Sequence, residues 1–249
     1  VSRARLEEHR EIWESKPVLS AVYAVWFDAL LAPLAHGARV LEVGAGPGFL
    51  SSHARATRPD LRWVASDVLF VPWNGLVADG LALPLRTAAV DAVVGVDLVH
   101  HLARPAEFFR EIARVVRPGG HLSVVEPWVT PLSFPIYRWL HQEGCTPGLD
   151  PWAPFGHGAK DAFDGDAAVV WRLVRDTPKA RWRELGLEPP DTAVLNAFPY
   201  VLTLGFRRGS LLPPSLVGPL VRLDRALGPL ASWLGLRAHV TWRRPAGGP

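Results

Sequence analysis

An apolar run, a glycine cluster and a short helical stretch follow one another between Arg39 and Thr57, and this segment restricts the fold more than any other. Arg39–Val43 (RVLEV) has strand-forming residues around one acid, Glu42. It ends in Gly44-Ala-Gly-Pro-Gly48, and Gly48–Thr57 has the composition of a short helix. A buried strand that stops in a glycine turn and restarts as a helix directs backbone N–H groups toward whatever lies at the helix start. Pro47 suits this reading, because a proline there gives up an N–H that has no partner in the first turn.

Strand and helix patterns alternate around this segment. Residues 3–35 read as helical: Leu6, Arg10 and Trp13 share one face, and Pro17 opens a second, mostly apolar stretch, Val18–Leu31. Further strands are expected at Leu61–Ser66, Gly75–Ala78, Asp91–Val96 and His121–Glu126. Pro105–Val116 is an amphipathic helix with Phe108, Phe109, Ile112, Val115 and Val116 inside, stopped by Arg117-Pro-Gly-Gly120. Such alternation predicts an α/β fold: a Rossmann-like three-layer sandwich around a mostly parallel seven-stranded sheet. From Pro127 the rhythm fails. Asp161–Glu184 reads as helical and Phe198–Phe206 as a strand; a proline-interrupted helical region follows, then a last strand at Arg237–Trp242.

Composition narrows the class. With 49% hydrophobic and 20% charged residues the chain is expected to fold and not to be disordered. It has no stretch of about 18 uninterrupted apolar residues, so no membrane span is expected. The charged start (VSRARLEEHR) lacks an apolar signal core, and a cytoplasmic location is expected. One cysteine, Cys145, leaves no internal disulfide and no cysteine-rich metal site. Arginine outnumbers lysine 24 to 3, which suggests a GC-rich bacterial genome. Charge balances over residues 1–125, with 13 basic and 13 acidic, whereas residues 167–249 hold 12 basic and 5 acidic. That basic half also carries Trp171, Trp182, Trp233 and Trp242. It reads either as arginine solvating outer helix faces or as peripheral contact with an anionic membrane.

A glycine loop alone does not choose a ligand. A dinucleotide dehydrogenase wants Gly-x-Gly-x-x-Gly, and its third glycine would stand where this chain has Phe49. The spacing here is Gly-x-Gly-x-Gly, preceded by Glu42. These residues resemble motif I of the class I (Rossmann-like) S-adenosylmethionine-dependent methyltransferases. The resemblance continues through Asp67 after RWVASD, through Asp79-Gly80, and through DAVVGVDLVHHL and RVVRPGGHLSVVEP. The last two are similar to the ubiquinone/menaquinone methyltransferase-like group (methyltransferase type 11). The likeness covers Val40 to about Pro127.

What this resemblance implies is S-adenosyl-L-methionine as cofactor, leaving as S-adenosyl-L-homocysteine. Gly44, Gly46 and Gly48 would pack along its methionine portion, with Glu42 orienting the loop or the amino group. Asp67 would hold the ribose hydroxyls and Asp79-Gly80 would meet the adenine. Asp97, ending the fourth strand, completes the cofactor set. Only 12 residues separate Asp67 from Asp79, so the helix usual at that place must be very short. The single domain, residues 1–249, would then divide into a helical lid (1–36), a cofactor-binding core (37–127), an acceptor-side cap (128–197) and closing strands with inserted helices (198–249).

Methyl transfer from a sulfonium is an in-line displacement that asks the protein to align the acceptor, exclude water and, for a hydroxyl or acidic carbon, take a proton. This logic requires no metal. Candidate bases are His100, His101, Glu126 and His141, with packing as the alternative for each; Asp97 and Tyr137 are further candidates, and Tyr23 in the helical lid is expected either to pack in the core or to close over the cofactor's methionine end. Asp161–Asp166 (DAFDGD) lacks a calcium loop's remaining ligands and reads as a solvated turn. The expected acceptor is a small molecule, apolar or lipid-linked, methylated on oxygen or carbon. Nucleic acid is not expected, since no Asn/Asp-Pro-Pro-Tyr/Phe motif occurs. The alternatives are a non-catalytic cofactor-binding partner protein and an NAD-type dinucleotide enzyme.

Overall fold

The computed structural model describes residues 2–140, 144–153, 164–195 and 197–247. Two helices lead in: α1 (Ser2–Ser15) and α2 (Pro17–Leu31), the latter opened by Pro17 in its first turn. β1 (Arg39–Val43) runs through the glycine loop into α3 (Phe49–Thr57). β2 (Arg62–Asp67), β3 (Leu76–Val77) and β4 (Val90–Val96) follow, then a single 3-10 turn at Val99–His101. After them come α4 (Pro105–Val115) and β5 (Val116–Pro127). The second half holds α5 (Ser133–Trp139), α6 (Val169–Asp176), α7 (Lys179–Glu184), β6 (Asp191–Leu195), α8 (Phe198–Thr203), α9 (Pro214–Ala226), α10 (Ala231–Leu234) and β7 (Arg237–Arg243).

The seven strands form one sheet in the order β3-β2-β1-β4-β5-β7-β6. β1 to β5 pair in parallel, and β7 lies antiparallel between β5 and β6. The strand order reverses at β1, with β2 and β3 built outward on one side and β4 and β5 on the other. In open parallel sheets the crevice outside the carboxyl ends at such a switch point is where ligands bind. The glycine loop leaves β1 at this crevice, and Asp97 follows β4 across it.

Strand alternation sorts the core into two layers. Leu41 and Val43 face α4 and α7, joining Phe108, Phe109, Ile112, Trp182 and Trp242. Val40, Ala92 and Val94 face α2, joining Leu19, Tyr23, Trp26, Phe27 and Leu30. Phe109 lies 5.0 Å from both Trp182 and Trp242, and Trp152 lies 5.4 Å from Trp182. Such pairs contribute about 0.5–1.5 kcal/mol each beyond their buried area. They fasten α7 and the 144–153 segment to the sheet.

Three sequence expectations are corrected. Phe198–Phe206 is not a strand: α8 and a turn occupy it, between left-handed residues Ala197 (φ 60°) and Leu204 (φ 61°). Asp224 of α9 holds this conformation, its carboxylate accepting the Ala197 and Phe198 N–H groups at 3.1 and 3.0 Å. The sixth strand is Asp191–Leu195, paired along β7. The helix expected from Asp161 begins only at Val169, because the Asp166 carboxylate draws the N–H groups of Ala168 (2.9 Å) and Thr146 (3.1 Å) into a turn. Residues 161–163 lie outside the described residues. Finally, β5 starts at Val116 and not at His121. Val90 pairs with Val116 and Ala92 with His121, so Arg117–Gly120 bulges out within the strand.

Candidate active site

The glycine loop is a left-handed turn in which Gly44, Gly46 and Gly48 all take positive φ, at 67°, 47° and 80°. Side chains are excluded as much by space as by torsion. A Cβ on Gly44 would lie 2.9 Å from Leu98 Cδ1, and one on Gly48 would lie 2.9 Å from Trp73 Cδ1. Asp67, at the end of β2, binds the loop directly: its Oδ2 accepts the Gly46 N–H at 2.8 Å and its Oδ1 the Leu69 N–H at 2.9 Å. Ala45 donates to Ser66 O at 2.9 Å, a second tie between the loop and β2.

Glu42 is buried within β1. Strand alternation places it on the α2 and α3 face, where Trp63 Nε1 donates to its Oε2 at 3.0 Å. Burial pushes its carboxyl up to about 8, so it is largely protonated at neutral pH. Its main chain, through the Ser66 hydroxyl donating to Glu42 O at 2.8 Å, supports β2 beside the loop. Asp79 is exposed and forms a tight turn, its Oδ1 accepting the Leu81 N–H at 2.9 Å. Gly80 runs close under β1: a Cβ there would stand 3.2 Å from Val43 and 3.4 Å from Phe108.

The lid and the shortened β2–β3 connection meet over the loop. No helix stands between Asp67 and Leu76; Trp73 fills the place, donating its indole N–H to Gly46 O at 2.8 Å. Arg10 of α1 lies 4.6 Å above the Trp73 ring and donates to Pro47 O at 2.8 Å. Leu6 approaches Gly46 from the same helix. Phe49, in the position of a dinucleotide motif's third glycine, stacks on Trp13 at 4.0 Å. Sequence reasoning missed Trp73. The 12-residue spacing from Asp67 to Asp79 was the signal that something other than a helix closes this wall.

On the β4 side the chain turns sharply at Asp97, a non-glycine residue at φ 53°. Glu126, at the end of β5, holds this turn. Its Oε1 accepts the N–H groups of Leu98 (2.9 Å) and Val99 (2.7 Å), and its Oε2 pairs with His100 Nδ1 at 2.5 Å. Glu126 is 0% and His100 1% exposed. His101 is half-buried, its ring 4.0 Å from that of His100, with Nδ1 at 3.2 Å from Asp164 O. Because a carbonyl only accepts, Nδ1 is the donor in that bond. His141 lies outside the described residues.

Asp97 forms an ion pair with Arg237, the buried first residue of β7. Arg237 also packs at 5.0 Å from Trp26 and 5.2 Å from Tyr200. Tyr23 lies 5.8 Å from Tyr200; burial, with Asp97 adding to it, raises the pKa of both, and the Tyr200 phenol raises Tyr23 further, whereas Arg237 and the bond to Tyr23 act against the rise at Tyr200. Tyr137 donates its hydroxyl to Leu236 O, next to Arg237. Asp97, Arg237 and three tyrosines thus converge at the carboxyl edge beside the glycine loop. Arg237 and Tyr200 were not singled out from sequence: the first opens a strand like many surface arginines, and the second fell inside the misassigned strand. Ligating atoms of Asp97, His100 and Glu126 lie within 4.8 Å of one another. Arg237 and two backbone N–H groups already balance the two carboxylates of that cluster.

This combination, a glycine loop tied to a β2 acid and a strained acid at the end of β4, meets a matching family. Residues 30–124 match the family described as "Methyltransferase domain". The match spans less than half of the chain. Uncharacterized methyltransferases of Mycobacterium ulcerans and Mycobacterium sp. (strain KMS) are 32% and 30% identical to this chain. The first match covers 54% of this chain and 57% of the relative, the second 61% and 64%. A mouse tRNA (carboxymethyluridine(34)-5-O)-methyltransferase is 27% identical over 43% of this chain and 15% of that protein. The chain therefore spans little more than half, or less, of the first curated relatives it matches.

Solved structures share the fold. A chain from the complex of the Haloferax volcanii Trm112 methyltransferase activator with a methyltransferase superposes with a TM-score of 0.58 at 16% identity, covering 99% of this chain and 96% of that one. An Archaeoglobus fulgidus SAM-dependent methyltransferase gives 0.52 at 14% identity, covering 88% of this chain and 93% of that one. These likenesses show the fold: a Rossmann-like α/β arrangement around a mostly parallel seven-stranded sheet. Among the described residues no helix is long and apolar enough to cross a membrane.

Proposed function

We propose that this chain is an S-adenosylmethionine-dependent methyltransferase acting on a small, apolar or lipid-like acceptor, by O- or C-methylation. The observation that carries this reading is the bond between the Gly46 N–H and the Asp67 carboxylate at the switch point of the sheet, inside a segment that matches the methyltransferase domain. The loop suits such a cofactor: left-handed glycines admit close backbone approach, and Asp67 brings acceptor oxygens to the β2 end, where ribose hydroxyls would lie. When bound, S-adenosylmethionine supplies an electrophilic methyl group on a sulfonium.

The chain's own residues supply the rest. Gly44, Gly46, Gly48 and Asp67 hold the cofactor, with Asp79-Gly80 at its far end. Leu6, Arg10 and Trp73 lie over the loop and exclude water, so entry of the cofactor goes with displacement of α1 and the Trp73 indole. Asp97, Arg237, Tyr23 and Tyr200 form the wall against which the acceptor is aligned. His100 and Glu126 act as positioning residues that fix the turn carrying Asp97. His101, oriented by its Nδ1 bond to Asp164 O, is the group assigned to take a proton when the acceptor must lose one.

Calorimetry and thermal melts with S-adenosylhomocysteine and with NAD test the reading. S-adenosylhomocysteine should bind and raise the melting temperature, and NAD should do neither. Binding of NAD alone would overturn it. Production of S-adenosylhomocysteine from the methionine form in the presence of apolar hydroxylated compounds, scanned by mass spectrometry, would then separate an enzyme from a non-catalytic cofactor-binding partner.

A further inference from the structure

The segment between β6 and β7 lies at the same sheet edge as the candidate site, because β7 begins with Arg237 opposite Pro127 at the end of β5. Much of its apolar surface is unburied. In α9 no residue is fully buried: Val217 and Leu220 pack partly against the core, whereas Leu216 and Leu223, seven residues apart and so on one side of the helix, stand exposed. Leu211 is 69% exposed and Trp233 65%, with Leu230 between α9 and α10 also exposed. On α5, Trp139 is 72% exposed and Leu140 follows it. Large exposed apolar side chains gathered in one region mark an interaction surface.

Two hydrogen bonds make this a continuous region. Leu132, before α5, donates its N–H to Trp233 O at 3.1 Å. Arg207 donates to Leu140 O at 3.2 Å, just beyond the other end of α5. The seven-residue α5 is about 10 Å long, so both its ends are joined to the 198–236 segment. The charge there has one sign. Residues 197–236 contain Arg207, Arg208, Arg222 and Arg225 against one acid, Asp224, and that acid is turned inward onto the Ala197 and Phe198 N–H groups. The four arginines are exposed, as is Arg138 on α5.

We propose that this face docks on an anionic lipid bilayer. Trp139, Trp233, Leu211, Leu223 and Leu230 enter the headgroup boundary, and Arg138, Arg207, Arg208, Arg222 and Arg225 meet lipid phosphates. Tryptophan and leucine interleaved with arginine, with no ion pair to these arginines among the described residues, complement an anionic interface, where the apolar groups find acyl chains and the guanidinium groups find phosphates. Docked in this way, the chain turns the edge bearing Asp97 and Arg237 toward the membrane plane, which suits the apolar acceptor proposed above. The docking surface does not depend on that acceptor.

Sedimentation with sucrose-loaded vesicles tests it, comparing pure phosphatidylcholine with a phosphatidylcholine–phosphatidylglycerol mixture at low and high salt. The chain should bind the anionic vesicles, less at high salt, and bind pure phosphatidylcholine weakly. Arg207→Glu with Arg208→Glu should weaken anionic binding by about tenfold or more. Trp139→Ala with Trp233→Ala should also weaken it, and circular dichroism melts should match the unmodified chain in both variants. Absence of binding to anionic vesicles overturns the proposal, and so does undiminished binding by the folded variants. A dimer in analytical ultracentrifugation that the double tryptophan variant converts to monomer also overturns it, assigning the face to a second copy. Vesicle binding without S-adenosylhomocysteine binding would leave this surface standing and remove the proposed function instead.

Discussion

Glu126→Ala removes in one step the acceptor of hydrogen bonds from Leu98 N–H (2.9 Å), Val99 N–H (2.7 Å) and His100 Nδ1 (2.5 Å). Glu126 is fully buried, so water does not take over its place without a cavity opening. Each buried N–H left without an acceptor costs roughly 1–3 kcal/mol. These contributions overlap, because the same carboxylate serves all three donors, and the total expected is about 3–5 kcal/mol. In a domain of this size each kcal/mol lowers the melting temperature by about 2–4 °C, which gives a fall of about 6–20 °C. Glu126→Gln keeps an oxygen for Leu98 and Val99 and should lose roughly 1–2 kcal/mol. Differential scanning calorimetry reads both losses, and titration with S-adenosylhomocysteine at a temperature where both variants are folded reads cofactor affinity. Cofactor affinity should change little. A melting temperature within about 2 °C of the unmodified chain for Glu126→Ala would refute the reasoning, since a group that costs so little to delete is not bracing the β4 turn.

Asp67→Ala should weaken S-adenosylhomocysteine binding by about tenfold or more, the loss of charge-assisted bonds to the loop and the ligand, and Gly46→Arg should abolish it; unchanged affinity in both by calorimetry would discard the cofactor site. Glu42, raised to about 8 by burial, stays protonated in the fold while the unfolded chain ionises near 4.5. Its contribution to stability is therefore full below about pH 4.5 and is lost as pH rises toward 8. Glu42→Gln, which keeps an acceptor for the Trp63 indole, should gain stability relative to the unmodified chain across that interval, as melts in a pH series would show. Arg237→Met should destabilise by about 3 kcal/mol, because it strands the Asp97 carboxylate, and adding Asp97→Asn should restore part of that loss; strictly additive urea-denaturation energies would deny the pairing.

Much of the core was legible because its signals are local. The apolar runs in Val40–Val43 and Asp91–Val96, the glycines of 44–48 and the amphipathic 105–115 helix each follow from neighbours in the chain, and the parallel sheet follows from their alternation. The distance from Gly46 to Asp67 was also readable, since the length of one β–α–β unit sets it. The second half resisted for the opposite reason. Whether Phe198–Thr203 is helix or strand is decided by Asp224, 26 residues further on, which caps its first N–H groups. The break before α6 is decided by the Asp166 carboxylate, which also reaches back to Thr146.

The sequence by itself determined that a glycine loop would stand between a buried strand and a helix beside an acid at the next strand's end, because torsion and strand length are properties of short segments. Only the tertiary structure decided what surrounds that loop. Trp73 replaces a missing helix, α1 is laid over the glycines, Glu42 is bound by the Trp63 indole, and Arg237 comes back 140 residues later to neutralise Asp97. Each of these depends on which groups are left unpaired once the sheet has closed, a condition set by three-dimensional burial and not by the order of residues along the chain.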